Sequence, residues 1–223
     1  MKLLIIADIH GDFEVLGEII EKASRHNPDI VICPGNITDM FKIPPEFSQL
    51  DIADMVVQKL ISLGKPLLCV PGNHDPYEIL DVFKEYHANI HAHHKKISGV
   101  TFMGFGGAPT PFNTLFEPTE EETKAHLEKF PANPPSILVT HNPPKNTKLD
   151  KLPSGEHVGS QAIREFIEKT HPLCAISAHI HESSGEDRLG ETVLFNPGPA
   201  FKGNYGIIEI EKNSVKCQLL KIK

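Results

Sequence analysis

The fold class is set by residues 2–24, which read KLLIIADIHGDFEVLGEIIEKAS. The apolar run at residues 3–7 is short and uninterrupted, which is typical of a buried strand and predicts one at residues 2–7, and apolar residues then recur at helical spacing over residues 13–23. A second strand and helix are predicted within residues 30–63, and a third strand at residues 67–70. This alternation predicts βαβ units around a mainly parallel sheet.

The second half of the chain is richer in strands than in helices. Further strands are predicted at residues 95–98, 100–105, 136–140, 173–177, 192–195, 205–210 and 214–220, and further helices at residues 77–87 and 158–169. We expect the last three strands to be joined as hairpins, and the proline-rich stretch 108–118 to be irregular. No linker or repeat interrupts the pattern, so residues 1–223 are expected to form a single domain of two packed sheets flanked by helices.

Composition is that of an ordinary globular protein, with 39% hydrophobic and 23% charged residues. The formal charge is −7 and there is no long run of Lys or Arg, so we expect no stable binding of nucleic acid. The first apolar run stops at Asp8, which is too early for a secretory signal or a membrane span, and a cytoplasmic protein is expected. The unusual number is thirteen histidines, in a chain without tryptophan.

Candidate metal ligands follow the predicted strands directly. They lie in five segments: Asp8-Ile9-His10, Gly35-Asn36 with Asp39, Gly72-Asn73-His74-Asp75, His141-Asn142 and His179-Ile180-His181. Ligands of open α/β sheets bind beyond the carboxyl ends of the strands, so these segments can converge on one crevice. Imidazoles combined with Asp and Asn favour a first-row divalent metal over calcium or magnesium. Two ions are favoured, because the candidates outnumber the four positions of a tetrahedral site.

In this order and spacing, the five segments resemble the motifs of the calcineurin-like metallophosphoesterase family, in its phosphodiesterase-like branch. The resemblance extends from Leu3 to the turn Asn196-Pro197-Gly198. It implies an α/β protein with a four-layer α/β/β/α sandwich, in which two packed mixed sheets are flanked by helices. It also implies a dinuclear metal centre between the sheets, holding two ions of Mn, Fe, Zn, Ni or Co.

The resemblance further assigns a role to each candidate residue. It implies two sets of metal ligands: Asp8, His10 and His181 for one ion, Asn73, His141 and His179 for the other, and Asn36 between them. His74 is similar to the family's catalytic histidine, and Asp39 to the carboxylate that orients it. The implied reaction is hydrolysis of a small or nucleotide-like phosphate ester, more readily a diester than a monoester, by a metal-bound hydroxide. His74 would bind a phosphate oxygen or protonate the leaving group.

Asn36 departs from the pattern, because the family usually has Asp at this position. An asparagine keeps one carbonyl oxygen but lacks the charge, so Asp8 is the only anionic side chain among the implied ligands. We therefore expect one of the two metal sites to be weakened. The alternative is a non-catalytic or weakly active scaffold with the same fold, in which Asn36 is the first step of decay. Retention of the histidine ligands favours the enzyme.

Two other features leave the function open. The cluster His91, His93 and His94 is expected to be solvated rather than part of the site. Phe112 and Phe116 lie in a long irregular loop, and either contact an organic group of the substrate or belong to a packed surface loop or an oligomer contact. Asp39 is followed by Met40 instead of the arginine of phosphoprotein phosphatases, which disfavours that branch.

Overall fold

The computed structural model describes residues 1–131, 135–212 and 214–222. Its strands are β1 (Lys2–Ile5), β2 (Ile30–Cys33), β3 (Leu67–Cys69), β4 (His93–Ile97), β5 (Val100–Phe105), β6 (Ser136–Thr140), β7 (Cys174–Ile176), β8 (Gly185–Leu189), β9 (Thr192–Asn196), β10 (Asn204–Glu211) and β11 (Ser214–Lys221). Its α-helices are α1 (Phe13–Ser24), α2 (Gln49–Ile61), α3 (Ile79–Glu85), α4 (Glu120–Leu127) and α5 (Gln161–Thr170).

The strands form two mixed sheets, with the orders β11-β10-β1-β2-β3 and β4-β5-β6-β7-β9-β8. In the first sheet β1, β2 and β3 are parallel, and in the second β5, β6, β7 and β9 are parallel. The remaining strands, β10 and β11 in the first sheet and β4 and β8 in the second, pair antiparallel with their neighbours. Parallel strands place their carboxyl ends at the same edge, so the loops that follow them in each sheet collect at one side.

Three apolar clusters separate four layers. Successive residues of a strand face opposite sides, and Leu4 packs toward the helices α1, α2 and α3, whereas Leu3 packs toward Phe102 of the second sheet. On the far side of the second sheet, Leu138 packs with Phe166 of α5. Each such side chain contributes about 1.5–3 kcal/mol when fully buried. The structure thus confirms the α/β/β/α sandwich.

Several helices begin at caps that the sequence encodes locally. The Ser48 hydroxyl accepts from the amide of Asp51, and the Asp51 side chain accepts from the amide of Ser48, which starts α2. Thr119 and Glu122 form the same reciprocal arrangement ahead of α4. Each arrangement satisfies amide groups that have no partner inside the helix.

One expectation for the second half of the chain is wrong, and one strand was not predicted. β9 does not form a hairpin with β10, because it pairs in parallel with β7, and β10 lies in the other sheet. β8 has the sequence GEDRL and was not predicted, because a charged edge strand lacks the apolar alternation of a buried one. Residues 197–203 cross between the sheets, and the amide of Ala200 donates to the carbonyl of Ala7 at 2.8 Å.

His91 is packed against the protein, so the prediction that it is solvated is wrong. Its Nδ1 accepts from the amide of Gly106 at 2.9 Å, and its ring stacks on Phe105 at 4.9 Å between centroids. His93 and His94 are exposed on β4, in agreement with the prediction. Within the described ranges, no helix is long and apolar enough to cross a bilayer.

Candidate metal centre

The loops after β1, β2, β3, β6 and β7 meet at one side of the sandwich. Side-chain contacts connect every candidate residue to another one across these loops. The structure thus brings together all the side chains singled out in the sequence: Asp8, His10, Asn36, Asp39, Asn73, His74, His141, His179 and His181. Four of these loops come from the middle of one sheet or the other, which fixes their starting points.

Four of the candidate residues have a left-handed backbone conformation. The φ angles are 51° at Asp8, His10 and Asn36, and 67° at His179. This region costs an ordinary residue roughly 1–2 kcal/mol, so surrounding contacts must hold it. The amide of Asp8 donates to the carbonyl of Gly35 at 3.1 Å, and the amide of His10 to that of Asn36 at 3.0 Å. The first two loops therefore support each other.

Two glycines allow the loops to approach this closely. A Cβ on Gly35 would lie 2.6 Å from Nδ1 of His141, and a Cβ on Gly72 would overlap the side chain of Asn36. Only a residue without a side chain fits at these contacts.

Asp8, His10 and His181 form the first group of possible metal ligands. Three of their ligand atoms lie within 4.8 Å of one another. Both ring nitrogens of His10 and Nε2 of His181 are buried, and none has a hydrogen-bond partner among the described residues. Burial lowers the pKa of His10 to about 4, so its ring is neutral. Unpaired buried nitrogens cost about 1–3 kcal/mol each, and a divalent cation would satisfy them.

The charge of Asp8 suits a cation at this position. Burial alone would raise the pKa of its carboxyl group, but the close approach and charge of His181 outweigh burial and hold that pKa below its usual range. Burial would lower the pKa of His181, and the nearby charge of Asp8 reverses this and raises it. The carboxylate is therefore ionised, and its Oδ1 lies 3.6 Å from Nε2 of His181.

Asn73, His141 and His179 form the second group. Nδ1 of His141 lies 2.7 Å from the carbonyl of Pro34, which can only accept, so Nδ1 carries the hydrogen. Burial lowers the pKa of His141, which leaves Nε2 with a free lone pair 3.0 Å from the Oδ1 of Asn73. Two acceptor atoms at this distance repel each other, whereas two ligands of one metal, each about 2.1 Å away, fit it.

His179 completes the second group. Its ring centroid is 5.1 Å from that of His141, and burial lowers its pKa to about 3. A neutral imidazole at this place can offer a lone pair to the same cation.

Asn36 lies between the two groups, with its carboxamide orientation fixed by its neighbours. Oδ1 accepts from the amide of His74 at 2.9 Å. Nδ2 donates to Oδ1 of Asp8 at 3.2 Å and to Oδ1 of Asn73 at 3.3 Å. The side chain thus presents its NH₂ group, which cannot bind a cation, toward the atoms of both ligand groups.

Asp39 connects His74 and His10. Its Oδ1 lies 3.3 Å from Nδ1 of His74, and its Oδ2 lies 3.6 Å from Nδ1 of His10. Burial alone would raise the pKa of Asp39, but the amide of Phe41 and the two imidazoles lower it. The ring of Phe41 meets His74 edge-on at 5.5 Å between centroids, and is itself exposed. Asp39 thus holds the ring of His74 on one side, and the other side of the ring is accessible from the cleft.

Asp75 organises the site; it lies in one of the five candidate segments, but the sequence analysis assigned it no role. Its fully buried carboxylate accepts from the amides of Ile37, Thr38 and Gly72 and from the Thr38 hydroxyl. It therefore ties the loop after β2 to the loop after β3. An acidic residue in the short loop between a buried strand and a helix was the available signal. In addition, Gln49 donates to the carbonyl of His74 at 2.6 Å, a contact with no sequence signal.

A cleft of ≈ 560 Å³ opens onto the candidate centre. One part of the cleft is lined by candidate site residues, which are Asn36, Asn73, His74, His179 and His181. Another part of the wall is largely apolar and consists of Pro109, Thr110, Pro111, Phe112, Leu152, Val158 and Ile180. Two carboxylates, Glu156 and Glu182, also line the cleft. Phe112 is 76% exposed here, while Phe116 is buried and packs on Tyr77 at 4.3 Å. Of the two open possibilities, Phe112 faces the cleft and Phe116 belongs to the packed loop.

Comparisons with known proteins agree with this geometry. Residues 1–183 match the calcineurin-like phosphoesterase family. The uncharacterized protein MJ1162 of Methanocaldococcus jannaschii is 37% identical over 96% of this chain and 94% of its own. A dimetal phosphatase from Danio rerio shares the fold with a TM-score of 0.67 and 11% identity, covering 99% of this chain and 98% of that one. An archaeal phosphodiesterase superposes with a TM-score of 0.57 and 17% identity, over 99% of this chain and 100% of that one.

Proposed function

The chain belongs to the calcineurin-like phosphoesterase family, and from this premise we propose that it is a phosphodiesterase for small or nucleotide-like substrates. It is a metal-dependent phosphoesterase, which makes it a phosphoric ester hydrolase. The proposal concerns the finer properties: the preference for diesters, the roles of the individual residues, and the number of metal ions.

The observation that carries the diester preference is the composition of the cleft. A phosphodiester has a second organic group that does not leave, and the apolar wall around Phe112 offers a surface for such a group next to His74. No lysine or arginine occurs among the residues that line the cleft, whereas Glu156 and Glu182 do. Carboxylates repel a doubly charged monoester more than a singly charged diester. Both properties favour the diester.

We assign two ligand groups for divalent ions of Mn, Fe, Zn, Ni or Co. The first is Asp8, His10 and His181, the second Asn73, His141 and His179. When bound, such ions supply Lewis acidity toward the phosphoryl oxygens and an activated water. Because each group combines ligands from the loops of both sheets, we propose that residues 1–223 work as one domain.

His74 is assigned to the phosphoryl or leaving-group oxygen. Its ring borders the cleft, and Asp39 at 3.3 Å from Nδ1 fixes which nitrogen faces the substrate. With Nδ1–H donated to Asp39, protonated Nε2 donates to an oxygen of the substrate and can pass its proton to the departing alkoxide.

The two metal positions are proposed to be unequal. Asn36 directs its NH₂ group at Asp8 and Asn73, so it adds neither a ligand oxygen nor a negative charge between them. One ion should therefore be held more weakly than the other.

Hydrolysis of model esters tests the proposed function. We expect turnover of bis-p-nitrophenyl phosphate with added manganese, cobalt, nickel or zinc, at a higher kcat/KM than for p-nitrophenyl phosphate. His74→Ala should lose most of this activity, and His94→Ala, an exposed histidine of β4, should keep it. Turnover that is equal in wild type and His74→Ala contradicts the catalytic assignment. A faster monoester contradicts the diester preference.

A further inference from the structure

We propose that Thr114 and Glu117 are positioning residues that hold the carboxamide oxygen of Asn73 toward His141, and thereby set the metal affinity of the second ligand group. This inference rests on the proposed role of Asn73 as a ligand. It assigns a purpose to a loop that is distant in sequence from every motif of the site.

An asparagine needs such control, because only its oxygen can bind a cation. Rotation of the carboxamide by 180° would replace Oδ1 by the NH₂ group at nearly the same place. In the structure, Oδ1 of Asn73 lies 3.0 Å from Nε2 of His141, and Nδ2 donates to the hydroxyl of Thr114 at 3.0 Å. Thr114 therefore fixes the nitrogen end of the carboxamide if it accepts a hydrogen bond, while Nδ2 of Asn36 contacts the oxygen end at the longer distance of 3.3 Å.

Glu117 settles that direction. Its Oε1 accepts from the Thr114 hydroxyl, from the Thr114 amide at 2.6 Å and from the Thr110 hydroxyl at 2.7 Å. Burial alone would raise the pKa of Glu117, but these hydrogen bonds outweigh it and lower that pKa, so the group is an ionised acceptor. Thr114 has one hydroxyl hydrogen, and it donates this hydrogen in the hydrogen bond to Glu117. Toward Asn73, Thr114 offers only a lone pair, and Asn73 must present its NH₂ group.

The backbone holds the same loop in place independently of these side chains. The carbonyl of Asn73 accepts from the amides of Leu115 at 2.9 Å and Phe116 at 3.0 Å. Phe116 is buried and packs on Tyr77. Removing the Thr114 hydroxyl should therefore release the carboxamide of Asn73 without detaching the loop, which separates a positioning role from a merely structural one.

Metal titration of the full-length apo protein tests the inference. In calorimetry with Mn²⁺, we expect Thr114→Val to weaken one binding event by about 10–100-fold, the usual effect of losing a contact behind a ligand, and to leave the other event unchanged. Thr114→Ser keeps the hydroxyl and should bind like wild type. It also serves as the test if the valine variant does not fold.

Glu117 is expected to act through Thr114. Glu117→Ala should weaken the same binding event, and the double variant should be no weaker than Thr114→Val alone, because both remove one connected pathway. The side-chain NH₂ signals of Asn73 in ¹⁵N-resolved NMR of the apo protein should broaden or move in Thr114→Val and not in Thr114→Ser.

The outcomes separate this inference from the proposed function. If wild type binds Mn²⁺ and Thr114→Val binds it equally tightly, the positioning role is wrong and the metal centre stands. Additive losses in the double variant also overturn it. Wild type that binds no divalent metal overturns both.

Discussion

The side-chain nitrogen of Asn36 donates a hydrogen bond to the carboxylate of Asp8 across 3.2 Å. Two candidate metal-site side chains are thus connected by a hydrogen bond. A carboxylate at position 36 would instead place two negatively charged oxygens next to each other. The same nitrogen lies 3.3 Å from Oδ1 of Asn73, and the Asn36 oxygen is already engaged by the amide of His74. An amide at position 36 therefore places a hydrogen-bond donor, and no second negative charge, beside Asp8.

Asn36→Asp should reverse this balance. Without metal, the new carboxylate faces Asp8, and we expect a loss of roughly 1–3 kcal/mol in the free energy of unfolding. With metal, its second oxygen becomes a charged ligand, and the weaker binding event should tighten by about tenfold or more, since ~1.4 kcal/mol of added attraction is sufficient. Calorimetry and metal analysis of both proteins measure the change. Equal stoichiometry and affinity would show that Asn36 does not weaken the site.

His91 should make stability depend on pH. Burial lowers the pKa of its folded form to about 4, from an ordinary value of 6.5. Between these values the unfolded chain binds a proton that the folded chain does not, so stability is complete above pH 6.5 and falls as the pH drops toward 4, by roughly 3 kcal/mol in total. Protonation would also remove the acceptor of the Gly106 amide.

Urea unfolding in EDTA at pH 7, 6 and 5 measures this dependence. His91→Gln, which does not titrate, should have a shallower slope than wild type by up to about 1.4 kcal/mol per pH unit. His94→Gln on the exposed strand β4 is the matched control and should follow wild type. Identical slopes for wild type and His91→Gln would contradict the assignment.

Gly72→Ala should damage fold and site together. The added methyl group would overlap the side chain of Asn36, so we expect a loss of roughly 1–3 kcal/mol and a large drop in kcat. Gly17→Ala on α1 is the control: its methyl would meet only Lys59 at 3.8 Å, and it should stabilise the protein by about 0.5–1 kcal/mol. A Gly72→Ala protein with normal stability and activity would show that the loops have room to separate.

Phe112→Ala should affect substrate preference without affecting stability. Phe112 lines the cleft and is 76% exposed, so its ring can stack on an aromatic ester group. Loss of about 1 kcal/mol of stacking corresponds to about a fivefold lower kcat/KM for bis-p-nitrophenyl phosphate. Methyl p-nitrophenyl phosphate has the same leaving group and should be affected less. Phe47→Ala, an exposed ring that does not line the cleft, should leave both values unchanged. Equal losses for the two esters in Phe112→Ala would exclude a contact with the second ester group.

The sequence was informative wherever function depends on the position of a residue in a strand. Asp8 and Asn36 could be placed at one edge because they follow the parallel strands β1 and β2, and the carboxyl ends of such strands meet. Which side-chain atom of Asn36 donates and which accepts could not be predicted from the sequence. The assignment depends on the amide of His74, which a turn brings next to Asn36. Thr114 was also hidden, since its contact with Asn73 spans 41 positions and requires the actual course of an irregular loop.

The pairing of β1 with β10 has a consequence for biosynthesis. The amide of Ala200 donates to the carbonyl of Ala7, and that of Phe201 to the carbonyl of Asp8 at 3.3 Å, so residues near 200 fix the backbone beside the first candidate ligand. When only the first half of the chain has been synthesised, Asp8 and His10 are present, but the residues near 200 that fix the backbone beside them are not. The nascent protein therefore completes its candidate metal centre late, and the onset of phosphoester hydrolysis reports the completion of folding.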